Sequence, residues 1–231
     1  MSIEDLKRQA ALKAVEFVQS GMIIGLGTGS TAVHATLAIG EMIADGRLHN
    51  ILAIPTSQTT AQQAQEVGIS LTDLNTHTEI DIIIDGADEI DPHLNLIKGL
   101  GGALLREKIA AAASHRIVII ADERKRVSQL GSRAPVPVEV IPFAREPVRL
   151  YLQSLGANVI LRQQDGQPFM TDENNIIFDC HFSSITNPSQ LAQAIRQQPG
   201  VVEHGLFLNL ATDAIIASAQ GLDHLQIDKL A

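Results

Sequence analysis

A glycine-rich turn, Gly25-Leu-Gly-Thr-Gly-Ser-Thr31, lies between an apolar run and a helical pattern. Glycine lets a ligand approach the backbone closely, and amides at a helix start could bind an anion together with the hydroxyls of Thr28, Ser30 and Thr31. A dinucleotide-binding motif would need glycine in place of Ser30, and a P-loop would need a following lysine. A small phosphate ester therefore fits this turn better than a nucleotide, and an ordinary tight turn is the alternative.

An acidic segment, Asp85-Gly-Ala-Asp-Glu89, follows the apolar run 80–84, with Asp91 close behind. Carboxylates in this position could accept hydrogen bonds from sugar hydroxyls or move protons between oxygens. A metal site is the rival interpretation, but the spacing is not that of a calcium-binding loop and no His or Cys cluster lies nearby. The alternative without a ligand is a solvated loop in which Asp88 or Asp91 caps a turn.

A second glycine-rich loop, Lys98-Gly-Leu-Gly-Gly102, opens a helical pattern that carries Glu107. Exposed loop amides could stabilise an oxyanion, and Lys98 would add a full positive charge. Glu107 could act as a general base. An ordinary solvated helix face is the alternative for Glu107 and its charged neighbours Arg106 and Lys108.

Basic residues are concentrated in the middle of an otherwise acidic chain. The chain carries 17 Lys and Arg against 26 Asp and Glu, a formal net charge of −9, whereas positions 98–133 hold eight basic and three acidic residues. The run Asp122-Glu-Arg-Lys-Arg126 places Lys125 just after an apolar strand pattern. A local basic patch of this size suits a small anion, while nucleic acid calls for a wider basic surface. A solvated charge run is the alternative for most of these side chains.

The composition is that of a globular protein with an aliphatic core. The 231 residues are 45% hydrophobic and only 3% aromatic, which argues against single-stranded nucleic-acid binding because that needs stacking platforms. Cys180 is the only cysteine, so no disulfide can form within the chain. We find no leader pattern and no apolar stretch long enough to span a bilayer, and we expect a soluble, cytoplasmic protein without membrane or nucleic-acid partners.

Short β-branched runs that alternate with helical patterns predict an α/β fold. We expect a Rossmann-like parallel sheet covered by helices on both faces, with ligands bound at the strand ends. Prolines interrupt this pattern from about position 134, and a small α+β domain of ferredoxin-like type is expected beyond them. The predicted main domain comprises 1–130 plus 206–231, with 206–210 returning to the main sheet, and the small domain comprises 131–205.

Five motifs together resemble ribose-5-phosphate isomerases of type A, and the resemblance extends over nearly the whole chain. The order and spacing of the motifs match those of that family, although each motif alone is only a weak indicator of it. The motifs are Gly27-Thr-Gly-Ser-Thr31, Asp85-Gly-Ala-Asp-Glu89, the segment 98–108, the segment 121–125 and Pro137-Val-Glu-Val140. The resemblance implies interconversion of D-ribose 5-phosphate and D-ribulose 5-phosphate in the pentose phosphate pathway, without a metal or a cofactor, by a homodimer or homotetramer.

The resemblance also implies roles for individual residues. Glu107 would be the proton-transferring base, and Asp85, Asp88 and Lys98 would assist it. The implied substrate-binding residues are Lys7, Thr28, Gly29, Ser30, Thr31, Asp85, Gly86, Ala87, Asp88, Lys98, Gly99, Leu100, Gly101 and Lys125. Many members of that family have glycine at the position of Leu100. The leucine therefore puts in doubt a close contact between the substrate and the backbone at this position. Two other functions stay open, a non-catalytic sugar-phosphate sensor and a nucleotide-dependent oxidoreductase.

Overall fold

A computed structural model describes residues 1–227, and the chain forms two compact units. The first unit comprises Met1–Ala87, Arg106–Lys125 and Leu210–Ala231, of which residues 228–231 lie outside the described part. The second unit comprises Asp88–Leu105 and Arg126–Asn209. The predicted main domain 1–130 plus 206–231 differs from the first unit in three segments, because 88–105, 126–130 and 206–209 belong to the second unit.

The helices, in chain order, are Ile3–Val15 (α1), Ala32–Ala44 (α2), Gln58–Glu66 (α3), Leu104–Ala112 (α4), Arg145–Ser154 (α5) and Pro188–Gln197 (α6). The strands are Ile23–Leu26 (β1), Leu52–Pro55 (β2), Ser70–Leu71 (β3), Ile80–Gly86 (β4), Glu89–Ile90 (β5), Leu96–Ile97 (β6), Ser114–Asp122 (β7), Val136–Val140 (β8), Asn158–Leu161 (β9), Gln163–Gln164 (β10), Gln167–Pro168 (β11), Ile176–His181 (β12), Val201–His204 (β13), Leu206–Phe207 (β14), Asp213–Ser218 (β15) and Gly221–Gln226 (β16). Among residues 1–227, no helix is both long and apolar enough to cross a membrane.

The first unit is built on a seven-stranded sheet in the order β16-β15-β7-β4-β1-β2-β3. Its strands run parallel except β16, which pairs antiparallel with β15. The central strands β4 and β7 are buried almost throughout, which explains their continuous β-branched runs. The predicted α/β fold with a parallel sheet is confirmed.

The core of the first unit is aliphatic. Ile24 and Leu26 of β1 and Ile82 and Ile84 of β4 point to one face of the sheet and are at most 2% exposed. Fully buried alanines of α1 belong to the same cluster, and their small side chains let the helix backbone lie close to the sheet. An Asp5 carboxylate and the Ser2 hydroxyl cap the start of α1 reciprocally, which fixes where this helix begins.

The second unit contains a four-stranded antiparallel sheet in the order β13-β8-β12-β9. Along the chain these strands alternate with α5 and α6 as β-α-β-β-α-β. This order is the ferredoxin-like arrangement predicted for the small domain. Phe178 and Ile195 are fully buried in its core, as is the Cys180 thiol, whose pKa is raised by burial.

The prediction that 206–210 return to the main sheet is wrong. Leu206 and Phe207 form β14, which pairs with β6 in a three-stranded sheet of the second unit. The Lys98 N–H also donates to the Gly205 carbonyl at 2.9 Å, which ties the segment 88–105 to the same unit. After β7, the chain returns to the main sheet only at β15. Assignment of the two units as separate domains stays a prediction.

Candidate functional site

Candidate residues of the first unit follow adjacent parallel strands. Leu26 at the end of β1 pairs with Ile84 of β4, and Gly86 at the end of β4 pairs with Ile120 of β7. The glycine turn, the acidic segment and the turn that carries Lys125 therefore leave the same edge of the sheet. This carboxyl edge is where parallel sheets bind ligands.

The glycine turn and Asp85 are packed against each other. A Cβ atom on Gly27 would lie 2.1 Å from the Asp85 Oδ1 oxygen, so only glycine fits there. The N–H groups of Thr28 and Gly86 donate to the same oxygen at 3.1 and 2.7 Å. Asp85 is 2% exposed and is held in place by these two amides. Ala87, two residues after Asp85, is half-buried.

The Thr28 hydroxyl faces into the protein. Its oxygen lies 2.8 Å from the Thr56 hydroxyl, 3.0 Å from that of Ser57 and 3.1 Å from that of Thr60. Sequence reasoning missed these three residues. Their signal was the cluster of small hydroxyl residues directly after β2, where Ser57 also caps α3.

Lys7 and Ser30 are brought together although 23 positions separate them. The Lys7 ammonium donates to the Ser30 hydroxyl at 3.0 Å and lies 3.4 Å from the Glu4 carboxylate. His34 also contacts Glu4, at 2.7 Å, and this hydrogen bond lowers the pKa of the Glu4 carboxyl. Thr31 precedes the first turn of α2, and Gly29 has a φ of 116°, which favours glycine. An ammonium and a hydroxyl at a helix start can bind a phosphate.

Lys125 lies in a short helical turn after β7. The Asp122 carboxylate is 1% exposed and holds this turn, since it accepts from the Arg124 backbone N–H at 3.1 Å and from the guanidinium Nε at 2.6 Å. The hydrogen bond from Arg124 lowers the pKa of the Asp122 carboxyl. Of the consecutive basic residues, Lys125 is half-buried and Arg124 and Arg126 are exposed.

Glu107 lies in the first turn of α4 and is 4% exposed. The solvated helix face considered for this residue is therefore wrong. Helix α4 ends at Ala112, just before β7 begins at Ser114. Because a helix that leads into a parallel strand runs back along the sheet, we expect Glu107 toward the carboxyl edge.

The second unit holds the other glycine loop, which is stabilised from two directions. The Leu100 N–H donates to the Asp88 Oδ2 oxygen at 3.0 Å. Arg162 donates through Nη1 to the carbonyls of Gly99 and Leu100 at 2.9 and 3.1 Å, and Asp179 holds its guanidinium. Arg162 was missed by sequence reasoning, because nothing in its local sequence marks it.

The side chain of Leu100 is 43% exposed, and its backbone φ is not in the left-handed region. Leucine is therefore compatible with this position, where the backbone N–H and carbonyl make the contacts. Lys98 is 3% exposed, and its ammonium lies 5.5 Å from the centre of the Phe207 ring. A buried cation next to this loop can stabilise developing negative charge.

Glu89 of the acidic segment and the nearby Asp91 have structural roles. Glu89 is 1% exposed and accepts hydrogen bonds from the N–H groups of Gly131, Arg133 and Ala134 at 2.6 to 2.7 Å. Asp91 closes a turn by accepting from the Asn95 N–H, as the turn-capping alternative predicted. Within residues 1–227, no group of three or more His, Cys, Asp or Glu side chains is arranged to hold a metal ion.

The chain is similar to known proteins over most of its length. The sequence profile of the family described as Ribose 5-phosphate isomerase A (phosphoriboisomerase A) matches residues 52–221. The ribose-5-phosphate isomerase A of Roseiflexus castenholzii is 52% identical over 95% of this chain and 94% of its own length. The ribose 5-phosphate isomerase structure from Plasmodium falciparum has a TM-score of 0.95 at 40% identity and covers 97% of this chain and 99% of its own. A D-ribose-5-phosphate isomerase in complex with phospho-erythronic acid has a TM-score of 0.96 at 37% identity and covers 98% and 100%.

Proposed function

The chain belongs to the ribose 5-phosphate isomerase A family and is an isomerase of ribose 5-phosphate, and from this premise we propose that Glu107 carries the proton. Conversion of D-ribose 5-phosphate to D-ribulose 5-phosphate removes a proton from C2 and returns one to C1 through an enediolate. The observation that carries this proposal is the burial of the Glu107 carboxylate, 4% exposed in the first turn of α4. A shielded base protects such an intermediate from side reactions with water. A non-catalytic sensor is not favoured, because the similar proteins are named isomerases.

Lys98 and the glycine loop are proposed to stabilise the negative charge of the enediolate. Among the loop amides, that of Leu100 donates to Asp88 and that of Gly102 donates to the Gly99 carbonyl at 3.0 Å. The amides of Gly99 and Gly101 are the ones we assign to the substrate oxygen. Preorganised donors of this kind contribute strongly to catalysis, because they need no rearrangement during the reaction.

Asp85 and Asp88 are proposed to open the sugar ring and to relay the proton between O1 and O2. Asp85 binds two amides through Oδ1, and Asp88 binds the Leu100 amide through Oδ2. Hydrogen bonds of this kind fix the orientation of a carboxylate.

The substrate phosphate is assigned to Lys7, Ser30, Thr31 and Lys125. The 3.0 Å contact between the Lys7 ammonium and the Ser30 hydroxyl supports this assignment for two of the four. Binding energy from the phosphate orients the reacting carbons at the other end of the substrate. A solved relative is in complex with phospho-erythronic acid, which also joins a phosphate to a short hydroxylated chain.

Glu107→Gln tests the proposed base. We expect kcat for ketopentose formation from ribose 5-phosphate to fall at least ~10²-fold, with binding of ribose 5-phosphate retained, because the amide keeps the shape but cannot take the proton. Glu41→Gln, at an exposed position of α2, is the matched control and should keep normal turnover. Near-normal turnover of Glu107→Gln would remove Glu107 from this role.

We also propose that the protein is cytoplasmic and forms a homodimer or homotetramer. The family resemblance supports the oligomer, and a lone buried cysteine suits a reducing compartment. Light scattering of the purified protein and fractionation of the native cells test these two statements, and a single-chain mass would contradict the first.

A further inference from the structure

Three buried hydroxyl residues at the start of α3 contact Thr28, which lies in the glycine turn after β1. Thr56, Ser57 and Thr60 are 0%, 6% and 1% exposed, and each hydroxyl lies within 3.1 Å of the Thr28 hydroxyl oxygen. Thr28 itself is half-buried. Each hydroxyl has one proton to donate and two lone pairs, so the contacts determine where the protons lie.

The protons of Thr56 and Thr60 are committed to backbone carbonyls. The Thr56 hydroxyl lies 3.0 Å from the Leu26 carbonyl oxygen, and the Thr60 hydroxyl lies 3.1 Å from that of Gly27. A carbonyl oxygen cannot donate, so each threonine must donate in these contacts. Only the Thr28 proton is then available for the contacts of Thr28 with Thr56 and Thr60. The Thr28 hydroxyl therefore donates inward.

Ser57 fits the same assignment. Its hydroxyl accepts from the Thr60 backbone N–H at 3.0 Å and donates to the Thr60 hydroxyl at 2.9 Å. The Thr28 backbone N–H is also used within the protein, since it donates to Asp85 Oδ1. Both donors of Thr28 are thus occupied, and the lone pairs of its hydroxyl oxygen are what it can offer to a ligand.

We propose that Thr56, Ser57 and Thr60 fix Thr28 as a hydrogen-bond acceptor, so that Thr28 binds a sugar hydroxyl of the substrate and not its phosphate. A phosphate dianion carries acceptor oxygens only and gains nothing from a second acceptor, whereas a sugar hydroxyl can donate. The proposal rests on the proposed function and corrects the expectation that the Thr28 hydroxyl donates to an anion.

Ser30 has the opposite polarity within the same turn. Its hydroxyl oxygen accepts from the Lys7 ammonium at 3.0 Å, which leaves its proton to be donated to an anion. The turn thus divides two roles: Thr28 accepts a hydrogen bond from a sugar hydroxyl, and Ser30 donates one to the phosphate. Thr56, Ser57 and Thr60 are positioning residues that act through Thr28.

Thr28→Val tests this division with two kinds of probe. We expect the KM for ribose 5-phosphate to rise about 5- to 10-fold, the effect of one lost hydrogen bond. The inhibition constants of inorganic phosphate and propyl phosphate should stay within twofold, because neither probe carries a sugar hydroxyl. Ser30→Ala is the matched variant, and it should weaken all three ligands. If Thr28→Val weakens inorganic phosphate as much as ribose 5-phosphate, Thr28 binds the phosphate and the proposal is wrong.

Thr60→Val tests the positioning role. We expect it to raise the KM for ribose 5-phosphate with little change in kcat, and Thr60→Ser, which restores the hydroxyl, should rescue the KM. Added to Thr28→Val, Thr60→Val should have no further effect on KM, because it acts through Thr28. An unchanged KM in Thr60→Val, or a Thr60→Ser variant as impaired as Thr60→Val, would overturn this role. Failure of the proposed catalytic function would appear separately, as undiminished turnover in Glu107→Gln.

Discussion

Gly27→Ala should separate the glycine turn from Asp85 and impair catalysis. The added Cβ atom would lie 2.1 Å from Asp85 Oδ1 and 2.6 Å from the Asp85 Cα atom. Rotation of the carboxylate relieves only the first of these contacts, because the Cα atom belongs to the backbone of β4. The hydrogen bonds from the Thr28 and Gly86 amides oppose that rotation. With the carboxylate held by them, the two segments must move apart by about 0.9 Å to bring the contact at Oδ1 from 2.1 Å to 3.0 Å, the shortest distance that real Cβ atoms tolerate.

A displacement of about 1 Å can cost ~10²-fold in rate when it misplaces groups that act on the substrate. We therefore expect kcat/KM for ribose 5-phosphate to fall about 10²-fold in Gly27→Ala. Overpacking should also lower the free energy of unfolding by about 1–3 kcal/mol.

Steady-state kinetics and thermal unfolding measure the two effects of Gly27→Ala. Gly86→Ala is the control for unfolding, since no atom lies within 4 Å of a Cβ at Gly86 and its φ is not positive. Its melting temperature should stay close to that of the wild type. A Gly27→Ala variant with normal kcat/KM and an unchanged melting temperature would show that the turn is not packed against Asp85 as described.

Two further variants test the loop of the second unit and the stability of the first. Arg162→Lys should lower kcat/KM about 10-fold, because lysine lacks the planar fork that holds the Gly99 and Leu100 carbonyls, and normal kinetics would refute that role. Asp213→Asn should lower the free energy of unfolding by about 1.5–3 kcal/mol at pH 7, because the buried Asp213 carboxylate accepts from Arg116 at 2.7 and 3.0 Å. Burial opposes ionisation of Asp213, but its hydrogen bonds, first those from Arg116, outweigh burial and lower its pKa. This stabilisation is therefore complete above the usual carboxyl pKa near 3.8 and declines as the pH falls below it. The free energies of unfolding of the wild type and of Asp213→Asn, measured by urea titration, should therefore converge toward pH 2.

Local patterns predicted the parallel strands of the first unit well, because burial on both faces of a parallel strand leaves a continuous β-branched run. The apolar run 80–84, for example, lies within β4. The run 206–210 was assigned to the wrong sheet. A mostly apolar run of five residues can predict a strand, but it carries no information about which strand will pair with it.

The sequence by itself determined the fold class, the family and the turns that carry Thr28, Asp85 and Glu107, because these depend on residue types and on short spacings. Only the tertiary structure decided which hydrogen-bond donors and acceptors of those turns are already bonded to other groups of the protein. Thr28 meets Thr60 across 32 positions, and Arg162 reaches the Gly99 carbonyl across 63. A hydroxyl or an amide has the same appearance in a sequence whether it is occupied or not. Its hydrogen-bond polarity toward a ligand is therefore set by neighbours that only the folded chain brings within 3 Å or so of it.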